Sequence, residues 1–428
     1  MTVLYGNLIY VRILFHLDRA VFCEGIGPED LPASGNDQFA SRRLTEGKKP
    51  GHDQPDDDQG KSQYHIRFFY HENTSGGIRN MHITSRAGAW VKLLPAILIT
   101  VLIIITQTGC GEKDPVSKSD FCLDTTCDIK IYDMKTGEAS EILDGAFEEI
   151  DKYENLMSKT IEGSDVYKIN HAQGQPVEVS KDTLKVIEQG IEMGDLSGGM
   201  FDITIGKVSS LWNFTGDDPK VPEQADLTEA LKTVNYKQIA IDDSAVSMKD
   251  PQAQLDLGGV AKGYIADRIC DYLKNQGVEK AVINLGGNVA VLGEKAKDTP
   301  WNIAIERPYS DRTEMMGYVS VKDATVVTSG IYERKFEQDG VLYHHVLDPR
   351  SGYPVDTDLE AVTIRAARGN SGFCDGLSTV CLMLGRDKAQ ALIQTLQEEH
   401  PEMKLEAAFI DKNDAMTQTD GMDVKKDE

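Results

Sequence analysis

Between about Ser119 and Asp411 short apolar stretches with the two-residue period of strands alternate with longer stretches of helical period, and no proline-rich linker interrupts them. Nearly three hundred residues organised in this way are expected to close as one compact α+β domain with antiparallel hairpins and its own core. Asp128 to Asp133 reads as a strand, and Glu141 to Met157 as a helix with Ile142, Ala146, Ile150 and Tyr153 on one face. Thr183 to Met193 and Val260 to Asn275 read as further helices, the latter with Gly277 just past its end. Strands follow at Ala281 to Leu285, Val289 to Leu292 and Ile303 to Glu306, the first two joined by Gly286-Gly287. Arg334 to Glu337 and Val341 to Leu347 flank Asp339-Gly340, which favours a tight primed turn. After a strand at Val362 to Ala366, Asp375 to Leu384 reads as a helix, and the polar segment 412–428 is expected to fray.

Ahead of this domain Leu93 to Thr106 is uncharged, close to a signal-peptide core in length and shorter than the roughly 20 residues of a spanning helix. Arg86 and Lys92 precede it, and Thr108-Gly109-Cys110 follows in the manner of a bacterial lipobox, although Gln107 stands where an aliphatic residue is preferred. Residues 81–109 are thus expected to be a lipoprotein signal peptide, Cys110 the lipidated residue and 110–118 a linker, with an uncleaved anchor or a buried helix as the alternatives. The first two readings place the domain outside the cytoplasm. A signal should begin near its initiator, so Met81 is expected to be the true start and 1–80 an extension that is disordered or not native.

A net charge of -24 repels polyanions, which argues against a nucleic-acid partner. Seven cysteines without a C-x-x-C or Cys/His cluster give neither a disulfide scaffold nor a zinc site, and leave open whether Cys122 and Cys127 pair.

Four motifs carry chemistry. L-D-L-G-G-V-A-K-G-Y, Leu255 to Tyr264, is a glycine-rich turn into a helix, where a phosphorylated ligand would meet free N–H groups and the Lys262 charge; a common Gly-Gly turn explains it as well. H-H-V-L-D-P-R-S-G-Y-P, His344 to Pro354, runs from a strand into a loop, so only one of its two histidines can face a site. C-D-G-L-S-T, Cys374 to Thr379, sets Asp375 and Thr379 on one helix face, as hard oxygen ligands for Mg2+ or as an N-cap and a helical threonine. S-G-G-M-F-D-I-T-I-G, Ser197 to Gly206, with Leu211-Trp212-Asn213-Phe214 beyond it, offers glycines and aromatics to wall a planar ring, or a turn and a core strand.

Taken together and in this order, these pieces resemble the ApbE family of FAD:protein FMN transferases, whose fold is related to the T-fold, over roughly Phe121 to Leu384. Leu123-Asp124-Thr125, Met157-Ser158, Asn170 and the T-S-G of Thr328 to Gly330 extend the match. The resemblance implies FAD contacts at Leu123, Met157, Gly199, Met200, Phe201, Asp256, Lys262 and Leu347, and magnesium ligands at the Gly259 carbonyl, Asp375 and Thr379. Gly259 stands where alanine is common, Met157 where some members have tyrosine, and Ser378 where some offer a second carboxylate.

It further implies Mg2+-dependent transfer of the FMN half of FAD to a client threonine, with AMP leaving and His345 as the general base. Clients of such enzymes include flavin-carrying subunits of membrane redox complexes and other extracytoplasmic electron-transfer proteins. Two alternatives stay open: an FAD pyrophosphatase that uses water in place of threonine, and a flavin-binding lipoprotein without turnover.

Overall fold

The computed structural model describes residues 114–310 and 313–426. The extension 1–80, Met81, the apolar run, Cys110 and the first part of the 110–118 linker, to residue 113, lie outside the described residues. Among the described residues no helix is long and apolar enough to cross a membrane.

The chain opens with the hairpin β1 (Val116–Cys122) and β2 (Thr125–Ile131), followed by α1 (Thr136–Met157), α2 (Asp165–His171), β3 (Val177–Glu178) and α3 (Lys181–Leu196). Next come α4 (Gly206–Trp212), α5 (Gln224–Leu231), β4 (Ile239–Asp242), β5 (Ala245–Met248) and α6 (Ala261–Asn275). Strands β6 (Ala281–Leu285), β7 (Asn288–Leu292), β8 (Trp301–Glu306), β9 (Met315–Val321) and β10 (Ala324–Gly330) lead to the hairpin β11 (Lys335–Gln338) and β12 (Val341–His344). The chain ends with β13 (Leu359–Ala367), α7 (Ser371–Leu384), α8 (Arg386–Glu399), β14 (Glu406–Asp411) and β15 (Met416–Gln418).

Eight strands form an antiparallel sheet in the order β1-β2-β6-β7-β10-β13-β14-β15. Both faces are covered, which explains why its strands read as nearly continuous apolar runs. Ile283 and Val327 point into the larger core with α1, α6 and α7, whereas their neighbours Val282 and Val326 point to Trp301 and Val319 of the β8–β9 hairpin. A third cluster gathers Val208, Trp212, Leu227 and Leu347 with Phe336 and Tyr343.

Several boundaries depart from the sequence reading, and three of them matter most. β1 starts at Val116, inside the expected linker. The segment after Asp411 is not frayed: β15 pairs with β14, Met422 is fully buried, and Tyr318 and Lys425 exchange backbone hydrogen bonds of 2.8 and 2.9 Å. Met422, with Met416 and Val424 packed on the same cluster, anchors this otherwise polar tail. Helix α7 begins at Ser371, a turn before Asp375, because the buried Asp267 of α6 accepts the Gly372 N–H at 3.1 Å and so caps it from a neighbouring helix. Cys122 and Cys127 are buried free thiols, with Cys127 Sγ 3.5 Å from the Cys122 carbonyl.

Candidate functional site

The first turn of α6 meets the second turn of α7, and the contact is close. A Cβ on Gly263 would lie 2.1 Å from the Ser371 carbonyl oxygen and 2.7 Å from Asp375 Cβ, so only glycine lets the helices approach. The sequence left the glycines of this motif open between a ligand site and an ordinary turn; this one serves helix packing. Asp375, buried in α7, accepts the Gly263 N–H at 2.9 Å on Oδ2 and the Asn288 amide at 3.1 Å on Oδ1. Its carboxylate therefore caps α6 rather than its own helix, and occupies an N–H that was expected to be free for a phosphate. Lys262 Nζ stands 3.7 Å from Asp375 Oδ1 and donates to the Gly258 carbonyl at 3.0 Å.

The loop before α6 adds Asp256. Its Oδ2 accepts from Lys159 Nζ at 2.8 Å and Ser209 Oγ at 2.7 Å, and its Oδ1 from the Gly258 N–H at 3.0 Å. Burial works to raise this carboxyl, but the Lys159 ammonium and the hydrogen bonds outweigh it and bring it down to about 2. Asn170 grips the adjacent Leu255 backbone on both sides, at 3.0 and 2.7 Å. Phe201 packs against Gly259, where an added Cβ would come within 3.1 Å of the ring, which accounts for glycine at a position where alanine is common.

Along α7, Thr379 Oγ1 lies 3.0 Å from Ser329 Oγ on β10, and Ser378 Oγ lies 2.7 Å from the same atom. Of the two histidines, His344, the last residue of β12, is buried, and His345, just past the strand, is half-buried. Burial lowers the His345 imidazole to about 3, with further contributions from Arg334, His344 and Lys262; its Nδ1 is buried without a hydrogen-bond partner. The His345 N–H bonds the Arg334 carbonyl at 3.0 Å, and Arg334 Nη2 reaches the Asp124 carbonyl at 3.2 Å, so Leu123, in a left-handed turn with Asp124, joins the same neighbourhood.

The fold thus brings Phe201, Gly259, Lys262, Asp375 and Thr379 to the meeting of α6 and α7, with Asp256 on the entering loop and Leu123 and His345 linked through Arg334. The remaining expected contacts sit elsewhere in the packing. Met157 is buried in the larger core, with Met200 packed on it, and Leu347 is buried in the third cluster. Gly199 lines a cleft of about 260 Å³ that it shares with Tyr236, Pro349 and Arg350. Trp212 walls no ring: it is fully buried at the end of helix α4, where its Nε1 donates to the Gly352 carbonyl at 2.8 Å.

Sequence reasoning gave no role to Lys159, Asn288, Ser329 or Arg334. Ser329 stood inside the recognised T-S-G and Asn288 directly after the Gly-Gly turn; Lys159 and Arg334 carried no local signal, because their partners are distant in sequence.

A hard cation asks for oxygen ligands. The Asp375 carboxylate and Thr379 hydroxyl provide them, and the Asn288 carboxamide oxygen, buried beside Asp375 without a hydrogen-bond partner, is a further donor in the same small volume. The donor set fits Mg2+. Among the described residues no group of three or more His, Cys, Asp or Glu side chains converges, so these oxygens rest on a single carboxylate.

An α+β domain that joins a capped carboxylate, a lysine and a hydroxyl row where two helices meet has the parts of a site for a phosphorylated ligand and a hard cation. Residues 123–403 match the model of the ApbE family, and the chain belongs to that family. It is 37% identical over 288 residues to an FAD:protein FMN transferase of Klebsiella pneumoniae (strain 342), covering 67% of this chain and 85% of the relative. A protein of the same name from Treponema pallidum (strain Nichols) is 33% identical over 317 residues, covering 69% and 87%. Among solved structures, the ApbE protein of Thermotoga maritima superposes with a TM-score of 0.65 at 32% identity, covering 74% of this chain and 100% of that one. The flavin transferase ApbE of Vibrio cholerae gives 0.62 at 26% identity, covering 72% and 97%.

Proposed function

We propose that this protein transfers the FMN half of FAD to a threonine hydroxyl of a client protein, with Mg2+ bound and AMP released. Flavin transfer to a protein is the activity in its relatives' name. The observation that carries the magnesium part is the buried Asp375 carboxylate, held by Gly263 and Asn288 beside Lys262 and Thr379. Asp375, Thr379 and the Gly259 carbonyl would hold the cation, which when bound supplies charge neutralisation at the diphosphate.

The chain's own groups do the rest. Lys262 and Arg334 present positive charge to the diphosphate. His345 is neutral near pH 7, with an unpartnered Nδ1 able to take the threonine proton. Its low basicity comes in part from those same cations, so a diphosphate that neutralises them makes it a better proton acceptor when substrate is in place. The threonine oxygen then bonds to the FMN-side phosphorus as the bond to the AMP oxygen breaks.

Leu93 to Thr106 followed by Thr108-Gly109-Cys110 supports a lipid-anchored location outside the cytoplasm, with flavin-carrying redox subunits as clients. Cys110→Ser is expected to abolish lipid labelling of the expressed chain, and labelling that persists would refute the anchor.

The test is incubation of the protein with FAD and Mg2+, with and without a threonine-bearing client peptide, following AMP and peptide mass. A peptide heavier by one FMN unit supports transfer. AMP without modified peptide points to a pyrophosphatase, and bound flavin with neither product to a binding protein. Asp375→Ala is expected to abolish AMP release while leaving the thermal unfolding transition cooperative.

A further inference from the structure

Three hydroxyls from two elements form a hydrogen-bonded row. Each hydroxyl has one hydrogen to donate. Ser378 Oγ, fully buried, donates to the Asp375 main-chain carbonyl at 3.0 Å, an oxygen that can only accept. With its hydrogen committed there, Ser378 must accept from Ser329, whose Oγ lies 2.7 Å away. Ser329 has then spent its hydrogen and must accept from Thr379, at 3.0 Å. The other acceptor within reach of Thr379, the Asp375 carbonyl, is farther away, at 3.4 Å. With Thr379 on the nearer of its two acceptors, the row runs from Thr379 through Ser329 and Ser378 to the Asp375 carbonyl, and each bond polarises the next.

We propose that Ser329 is the positioning residue of the cation site: it draws the Thr379 proton inward, so that the lone pairs of Thr379 Oγ1 face the cation. This rests on the reading of Thr379 as a cation ligand. It also gives Ser378 a purpose in place of the carboxylate that some members offer there: it ends the row on a carbonyl and so fixes its direction. Without Ser329 the acceptor left to Thr379 is the Asp375 carbonyl at 3.4 Å, a longer and weaker hold, and its proton can swing toward the cation.

The experiment is calorimetric titration of the full chain with Mg2+ in the absence of FAD, paired with the Mg2+ dependence of AMP release. Ser329→Ala is expected to weaken Mg2+ binding about fivefold to tenfold, the worth of one oriented hydrogen bond. The loss falls on the Mg2+ half-saturation and is recovered at saturating Mg2+, and Ser329→Thr, which keeps the hydroxyl, restores wild-type binding. Ser378→Ala cuts the row one link later and is expected to act in the same direction, which keeps the test open if Ser329→Ala does not fold. Unchanged Mg2+ binding in folded Ser329→Ala or Ser378→Ala, with Asp375→Ala defective, overturns the row and leaves the cation site standing. Equal Mg2+ binding by Asp375→Ala and the wild type overturns the cation site and this inference with it.

Discussion

Replacing Gly263 with alanine sets two physical effects against each other, and the structure decides the sign. In an ordinary helix interior the change stabilises by about 0.8–1 kcal/mol, because alanine loses less backbone freedom on folding. Here the new Cβ would stand 2.1 Å from the Ser371 carbonyl oxygen, 2.6 Å from its carbon and 2.7 Å from Asp375 Cβ. Two of those atoms are backbone and cannot rotate away, so α6 and α7 must separate by about 1 Å, an overpacking strain of about 1–3 kcal/mol. Separation also stretches the 2.9 Å bond from the Gly263 N–H to Asp375, a charge-assisted bond worth about 1.5–3 kcal/mol when well made. The net expectation for Gly263→Ala is a loss of about 2–3 kcal/mol, which lowers Tm by about 4–6 °C in a domain of this size. Circular dichroism melts of the two proteins in one buffer give the answer, and Mg2+ binding is expected to weaken in parallel as Asp375 loses its hold. A Tm at or above the wild type would show that the helices yield without cost, and would refute the claim that this glycine is fixed by packing.

Lys159→Met is expected to cost about 1–2 kcal/mol at neutral pH, since Asp256 falls from 3.8 to about 2 in the fold, at roughly 1.4 kcal/mol per unit, with Lys159 the largest of the groups that lower it, ahead of Ser209 and Gly258. A depressed carboxyl stabilises above its ordinary range and loses that contribution as pH falls through about 2. Urea unfolding should therefore show the gap between the two proteins closing toward pH 2, and a constant gap would assign the effect to packing. For His345, lowered to about 3, the sign is set by the unfolded chain binding the extra proton, so this residue withdraws stability as pH falls from about 6.5 toward 3. The plot of kcat/KM against pH is expected to be flat from pH 8 to about 5, and His345→Ala to lower kcat by about 10²–10⁴; full activity in that variant would remove His345 as the base.

The parts of the fold that were legible in the sequence are those whose cause is local. Asp339-Gly340 was expected to make a primed turn, and both residues have positive φ, 54° and 75°, joining β11 to β12. The helices ending at Met157 and Asn275 end there because their apolar periodicity does. What escaped has its cause elsewhere in the chain. The start of α7 is set by Asp267, more than a hundred residues earlier, and Gly263 answers to Ser371 across a helix contact. For Trp212 the sequence leaves a ring wall and a core role equally open, and the Gly352 carbonyl that decides the matter is distant in sequence. The site follows the same rule: Lys262, Asp375 and Thr379 lie in motifs, whereas Lys159, Asn288 and Arg334 are defined only by what the fold sets against them.

Charge explains why a site with one carboxylate suits this reaction. The chain carries a net charge of -24, so a diphosphate approaching most of its surface is repelled. Lys262 stands 3.7 Å from Asp375, and Arg334 and Lys262 both act on His345, so two fixed cations belong to this neighbourhood, one of them beside its carboxylate. A divalent cation on Asp375 would leave the locus more positive still, and a second carboxylate at Ser378 would cancel part of that excess. With serine there, positive charge stays directed at the ligand, and the oxygen lost from the cation's coordination is one that water or a phosphate oxygen can fill. Ser378→Asp is thus expected to bind Mg2+ more tightly and FAD more weakly than the wild type, with the penalty on FAD shrinking as salt screens the field. Tighter binding of both would show that cation affinity, and not residual charge, limits the site.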